Sequence, residues 1–208
     1  MVTGRFIAFE GGEGAGKSTQ AQLLVAALEA RGKVCVLTRE PGGTPGAEAI
    51  RELLLHPPGE GWLPQTEALL FAAARADHVG RLVRPSLAKG HWVVSDRYLD
   101  SSRAYQGAAL ELGDRAIRDL HSFGSTGMLP DLTVVLTAEP ARVAERLARR
   151  DGGAADAIGG RDAAYHARVA AAFTRFAAAE PDRFVVIDGE SDVDAVHQRV
   201  MQAVEQLC

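Results

Sequence analysis

Gly11, Gly16, Lys17 and Ser18 fall on the spacing G-x-x-x-x-G-K-[ST], a pattern that holds phosphate. Its glycines let the backbone curl until successive N–H groups point inward at phosphate oxygens, which side chains would block. The helix that follows adds the positive end of its dipole. Lys17 is long enough to reach the outer phosphates, and the Ser18 hydroxyl can ligate Mg2+. The loop Gly11-Gly12-Glu13-Gly14-Ala15-Gly16-Lys17-Ser18-Thr19 is therefore expected to bind a nucleotide. The context that the motif demands is present, with an apolar strand-like run before the loop and an alanine- and leucine-rich helical pattern after it. The bland alternative is a glycine turn with a surface lysine.

Phosphoryl transfer needs alignment and charge neutralisation more than covalent chemistry. The transferring group is crowded with oxygens that repel an incoming oxygen, so cations must come from several sides. Asp96 closes an apolar run and Arg97 follows it. A carboxylate there could hold Mg2+ or its water shell, and Arg97 could touch the phosphates of both reactants. A structural ion pair is the competing reading. Glu10, at the end of the first run, could instead be a structural partner of the loop. Arg39-Glu40-Pro41-Gly42-Gly43-Thr44 reads as a rigid exposed turn, with Arg51 on the next helical pattern; arginine suits bidentate phosphate binding. Phe71 and Arg75 stand four apart on another helical pattern and share a face. There a ring could stack on a base and a guanidinium could donate to a base carbonyl, although a core role is the default for a lone Phe at this spacing.

The elements that must position these groups follow from periodicity. Apolar runs at 6–10, 34–38, 92–95, 132–137 and 184–187 have strand character. Helical patterns lie at 18–30, 47–55, 67–88, 115–123, 141–149, 163–179 and 193–207. Strands alternating with helices predict an α/β fold, a parallel sheet of five strands with helices on both faces. Ligands collect at the carboxyl ends of such strands, where Glu10 to Lys17, Arg39-Glu40, Asp96-Arg97 and Glu139 stand. No linker splits the 208 residues, so one domain is expected. The glycine- and arginine-rich stretch at about 149–161 is expected to be a lid that closes over phosphates.

Composition sets the class. The chain is 47% hydrophobic and 24% charged, ordinary for a soluble globular protein. A net charge of −4 argues against a general nucleic-acid binder. Two cysteines, Cys35 and Cys208, suggest neither a disulfide framework nor a zinc site. Cys35, inside an apolar run, is expected in the core. With no apolar run long enough for a signal peptide or a membrane span, a cytoplasmic protein is expected, with no membrane partner.

Five blocks together resemble the thymidylate kinases: Phe9-Glu10-Gly11-Gly12-Glu13-Gly14-Ala15-Gly16-Lys17-Ser18-Thr19; Thr38 to Thr44; Glu67-Ala68-Leu69-Leu70-Phe71-Ala72-Ala73-Ala74-Arg75; Ser95-Asp96-Arg97-Tyr98 through Tyr105-Gln106-Gly107; and Leu129-Pro130-Asp131-Leu132-Thr133. They run in the family's order from residue 5 to about 190. The resemblance implies a P-loop nucleoside monophosphate kinase fold and an ATP:dTMP phosphotransferase that makes dTDP for dTTP synthesis, with Mg2+, as a homodimer. By the same resemblance Phe71 would stack on thymine and Arg75 would donate to a thymine carbonyl. Ser102 and Gln106 would lie near the base, and Tyr105 under the sugar. Arg51 and Arg97 would hold the acceptor phosphate, Glu40 and Asp96 would act around the metal and its waters, and Lys17 with the loop amides would bind the ATP phosphates. The stretch 67–88 is a plausible dimer seam.

The family divides by the position of its catalytic arginine. Glu13-Gly14-Ala15 carries no basic residue, so this chain resembles the bacterial type whose arginine comes from the lid. An Asp-Arg pair usually precedes an aromatic-His pair there. Tyr165-His166 matches the second, but the first reads Asp156-Ala157. Arg149 is the expected substitute, with Arg150 and Arg161 as alternatives. Ala108-Ala109-Leu110-Glu111 also stands where glycine and arginine are common. Two other functions remain open from the residues alone: a kinase for another nucleotide or deoxynucleoside, and a P-loop switch.

Overall fold

The computed structural model describes residues 4–139 and 157–207. Its strands are β1 (Phe6–Gly11), β2 (Cys35–Arg39), β3 (Trp92–Asp96), β4 (Leu132–Thr137) and β5 (Phe184–Asp188). They form one sheet in the order β2-β3-β1-β4-β5, and every neighbouring pair is parallel. The expected strands are all present, with ends moved by one residue at most. The helices are α1 (Lys17–Ala30), α2 (Pro45–Leu55), α3 (Pro64–His78), α4 (Arg84–Ala88), α5 (Leu99–Ser102), α6 (Asp114–Ser125), α7 (Ala163–Ala179) and α8 (Val193–Val204).

Both faces of the sheet are covered, and alternation along the strands says why. Ile7 and Phe9 point to one side, against Leu24 and Leu28 of α1 and Val200 and Val204 of α8. Phe6 and Ala8 point to the other, against Ala68, Val79, Val83 and Ile117. Val135 joins a third cluster with Val169, Phe173 and Phe176 of α7. β1, β3 and β4, buried on two faces, read as continuous apolar runs; the edge strands β2 and β5 leave Leu37 and Val186 exposed. Cys35 packs half-buried against the first cluster.

Two segments depart from expectation. The single helix foreseen over 67–88 is α3, a π-helical turn at Val79–Val83, and α4. Pro85 has no N–H to continue the ladder, and the chain widens just before it. The second departure is α5 and the π-helical stretch Arg103–Ala109, where no helix was foreseen. It is buried on nearly every side, with polar Asp100, Ser102, Arg103 and Gln106 mixed among apolar Leu99, Ala104, Tyr105 and Ala109. Hydrophobic periodicity cannot reveal such a helix.

The expected helix 141–149, Arg149, Arg150 and most of the expected lid lie outside the described residues. Among the described residues no helix is long and apolar enough to cross a membrane.

Candidate active site

The register of the sheet brings the chemistry together. Phe9 of β1 stands beside Asp96 of β3, and Asp96 stands beside Arg39 of β2. The glycine loop, Asp96-Arg97 and Arg39-Glu40 therefore leave the carboxyl edge side by side. Gly11 lies at φ +131°, and a Cβ there would sit 2.2 Å from the Leu136 carbonyl oxygen of β4. Only glycine lets the loop leave β1 at that point. Gly16, at φ +94°, caps α1, and the loop curls back so that Lys17 Nζ donates to the Gly12 carbonyl at 2.6 Å. Burial, reinforced by Arg97, pulls the Lys17 ammonium down to about 8, against the pull of Glu13, Asp96 and Glu10.

A cleft of about 550 Å³ opens over this edge. It is lined by Glu13, Gly14, Gly16, Lys17, Ser18 and Thr19 from the loop, and by Glu40, Arg51, Phe71, Arg75, Asp96, Arg97, Ser102, Tyr105 and Gln106. Ala15 instead lines a neighbouring cavity of about 190 Å³, with Gly16, Thr19, Gln20, Gly189 and Ser191. Gly11 and Gly12 shape the loop behind the cleft.

Ser18 Oγ donates to Asp96 Oδ2, so the two oxygens expected around a metal meet at the end of β3. Arg97 departs from the simple picture of a side chain on a strand end. Its backbone sits in the left-handed region at φ +70°, tied by its N–H to the Phe9 carbonyl at 2.8 Å and by its carbonyl to Ser95 Oγ at 2.7 Å. That turn aims the guanidinium across the loop: Nη1 reaches the Gly11 carbonyl at 3.2 Å, and Nη2 reaches Glu13 Oε1 at 2.5 Å and Tyr105 Oη at 3.3 Å. Burial alone would lower its pKa, but Tyr105, Glu13, Asp96 and Glu10 carry it above the ordinary arginine value. Arg97 is a permanent cation here. Glu13 thus turns its carboxylate toward Arg97.

Arg75 is also held. Its Nε donates to Glu40 Oε2 at 2.7 Å and its Nη2 to Ser102 Oγ at 2.8 Å. The other oxygen of Glu40 meets His78 Nδ1 at 2.8 Å, and His78 Nε2 meets Thr38 Oγ1 at 2.8 Å. Burial pushes the Glu40 carboxyl up, but Arg75 and His78 outweigh it and hold it below its ordinary value. Glu40 borders the cleft with its carboxylate paired to Arg75 and His78. Arg51 Nη1 donates to the Pro41 carbonyl at 2.8 Å. Phe71 is half-buried on the same wall as Arg75.

Glu67 and His78 stand outside the expected site residues. Both were findable: Glu67, Phe71, Arg75 and His78 follow helical spacing on α3, a mixed charged and aromatic stripe. Glu10, placed as a possible partner of the loop, instead accepts from Tyr98 N and Ser101 N at 2.9 Å each and from Ser101 Oγ at 2.5 Å, pinning α5 under the cleft. Arg161, a lid alternative, donates to Glu67 and Tyr165 rather than toward the loop.

The family model for thymidylate kinase matches residues 9–200. The chain is 53% identical over 206 residues to a thymidylate kinase of Rhizorhabdus wittichii, covering 99% of each chain. It is 47% identical over 206 residues to one of Caulobacter vibrioides, covering 99% of this chain and 98% of that one. Its fold matches the crystal structure of thymidylate kinase from Ehrlichia chaffeensis with a TM-score of 0.79 at 29% identity, over 97% of this chain and 99% of the other. A glycine loop, a half-buried cation facing it and a cleft with an aromatic wall fit what these comparisons say: the chain belongs to the thymidylate kinase family, the phosphotransferases that act on a nucleoside monophosphate.

Proposed function

We propose that the γ-phosphoryl of ATP passes to dTMP inside the 550 Å³ cleft, giving dTDP and ADP, and that the lining residues divide the work. The supporting observation is that one cleft is lined by the glycine loop, by Phe71 and Arg75 of α3, and by the Arg97 cation that reaches across to Glu13 of the loop. Lys17 and the loop amides bind the donor phosphates. The donor base occupies the smaller cavity beside Ala15, Thr19 and Gln20. Arg51 and Arg97 hold the acceptor phosphate, and Arg97 offsets repulsion as an acceptor oxygen approaches the γ-phosphorus. Tyr105 lies under the sugar. Phe71 stacks on the base, Arg75 donates to its carbonyl, and Ser102 and Gln106 border it.

The oxygens of Ser18 and Asp96 are the donor type that a hard divalent cation takes. These residues would hold Mg2+ together with the phosphates. When bound, the ion neutralises charge developing on the phosphate oxygens. Glu40 acts on Arg75 rather than on the metal. We assign the lid cation to Arg149. We also propose a homodimer that meets across α2, α3 and α6, because Leu53, Leu69 and Phe123 stand exposed on these helices; the mass in solution tests it. The free Cys35 fits a reducing cytoplasm.

A coupled assay with ATP and a panel of nucleoside monophosphates tests the proposal. Strong turnover with dTMP is expected. Turnover only with another acceptor, or ADP release that ignores the acceptor, overturns it.

A further inference from the structure

Gln106 is buried and lines the cleft. Its side-chain amide has two chemically opposite ends, a donor and an acceptor. Nε2 donates to Glu67 Oε1 at 2.8 Å. A carboxylate only accepts, so turning the amide over would set oxygen against oxygen. Glu67 therefore fixes which end of Gln106 is left for the cleft, and that end is Oε1.

Glu67 is itself buried and held from its other side. Its Oε2 accepts from Arg161 Nη2. The same guanidinium donates to Tyr165 Oη at 2.5 Å and lies over the Tyr165 ring, 4.7 Å from its centroid. Tyr165 is anchored in turn at the start of α7, where its N–H donates to Asp162 at 2.7 Å. The line Tyr165–Arg161–Glu67–Gln106 ties the base end of the cleft to the segment that follows the expected lid.

We propose that Glu67, clamped by Arg161, is a positioning residue for acceptor choice: it locks Gln106 with its carbonyl toward the base and so selects a pyrimidine whose N3 carries a proton. This rests on the reading of Gln106 as a neighbour of the base. A pyrimidine with N3–H beside a 4-carbonyl meets an acceptor at Gln106 and a donor at Arg75. One with a bare N3 and a 4-amino group meets acceptor against acceptor and donor against donor. A site built this way rejects the mismatched ring strongly, because buried polar groups are left unpaired.

The test compares dTMP with 5-methyl-dCMP, which differ only at N3 and C4. In Glu67→Gln, Arg161 can only donate and takes the new amide oxygen. The amide nitrogen then faces Gln106, which must turn over to accept it. Gln106 now opposes N3–H. The expected result is a KM for dTMP raised about tenfold or more, kcat within about threefold, an unmoved KM for ATP, and a dTMP to 5-methyl-dCMP ratio of kcat/KM lowered about tenfold or more. Should that variant fail to fold, Glu67→Asp keeps the charge for Arg161 but draws the carboxylate back from Gln106, and the same ratio falls about threefold or more. A wild-type preference for dTMP with an unmoved ratio in the variant that folds overturns the role of Glu67 alone. Wild-type enzyme that uses neither acceptor overturns the acceptor reading, and this inference with it.

Discussion

Arg97 reaches Glu13 at 2.5 Å from a backbone held in the left-handed region at φ +70°. The conformation that costs the chain stability is the one that swings the guanidinium over the glycine loop. A non-glycine residue there costs roughly 1–2 kcal/mol. Arg97→Ala and Arg97→Gly should both lower kcat by roughly 10²–10³-fold, the range for removing one preorganised group that stabilises developing charge. Yet Arg97→Gly should be the more stable of the two by about 1 kcal/mol, because glycine occupies that region freely. Denaturant melts and steady-state kinetics of the pair check this. Equal stabilities would mean that the turn stores no strain.

Phe71 and Arg75 line the same wall, and only Arg75 is locked by charge. Phe71→Ala should therefore act on acceptor binding through stacking alone. A stacked base is worth about 1–3 kcal/mol, so the KM for dTMP should rise roughly 5- to 150-fold. kcat at saturation should change little. An unchanged KM would return Phe71 to a packing role on α3.

Below the cleft, Asp100 is fully buried between two arginines. Arg103 Nη1 lies 2.7 Å away, and Arg183 Nη1 and Nη2 lie at 2.6 and 3.0 Å. Arg103 also reaches Asp114 at 2.6 Å and Glu180 at 2.8 Å. Arg103→Met should cost about 3 kcal/mol, the low end for breaking a buried pair, because Arg183 stays with Asp100 and Arg118 stays with Asp114 and Glu180. These guanidiniums outweigh burial and hold all three carboxyls below their ordinary values. The network's contribution is thus present above the unfolded carboxyl pKa values of 3.8 and 4.5 and is lost as pH falls below them. Urea titrations of both proteins across that window should converge at low pH.

Legibility followed the physics of each element. The loop was readable because its spacing is its geometry: Gly11 and Gly16 take φ values that side chains resist. The central strands β1, β3 and β4 were readable because burial on both faces makes them continuous apolar runs; the edge strands β2 and β5 stay apolar although Leu37 and Val186 are exposed. Asp96 and Arg97 were readable as a charged step after such a run. Their division of labour was not, since nothing local says that Asp96 meets Ser18 while Arg97 crosses to Glu13. Glu40 illustrates the same limit. A carboxylate in an exposed-looking turn is committed to Arg75 and His78, partners 35 and 38 residues away in the chain. The segment from Leu99 to Ala109 supplied expected site residues but escaped as a helix, because it is buried on nearly every side by polar and apolar residues together. Sequence period reports where apolar surface goes, and ionic burial leaves no such trace.

Lys17 offers the test that separates charge from shape. Its pKa falls from 10.5 in the unfolded chain to about 8 in the fold, first through burial and then through Arg97. Between these values the unfolded chain holds more protons than the folded one, so ligand-free stability should rise with pH across the window. Lys17→Met should lack that rise. In the proposed donor complex, phosphate oxygens beside Lys17 should restore the charged form. Donor binding at about pH 9 should therefore take up close to one proton, and affinity should fall up to about tenfold per pH unit above 8. Calorimetry in two buffers of different ionisation enthalpy reads the proton directly: uptake in the wild type and none in Lys17→Met. That variant should also lose most of its kcat, because donor charge loses its partner. Near-normal kcat together with undiminished proton uptake would place the titrating cation elsewhere, with Arg97 excluded because its environment keeps it protonated throughout.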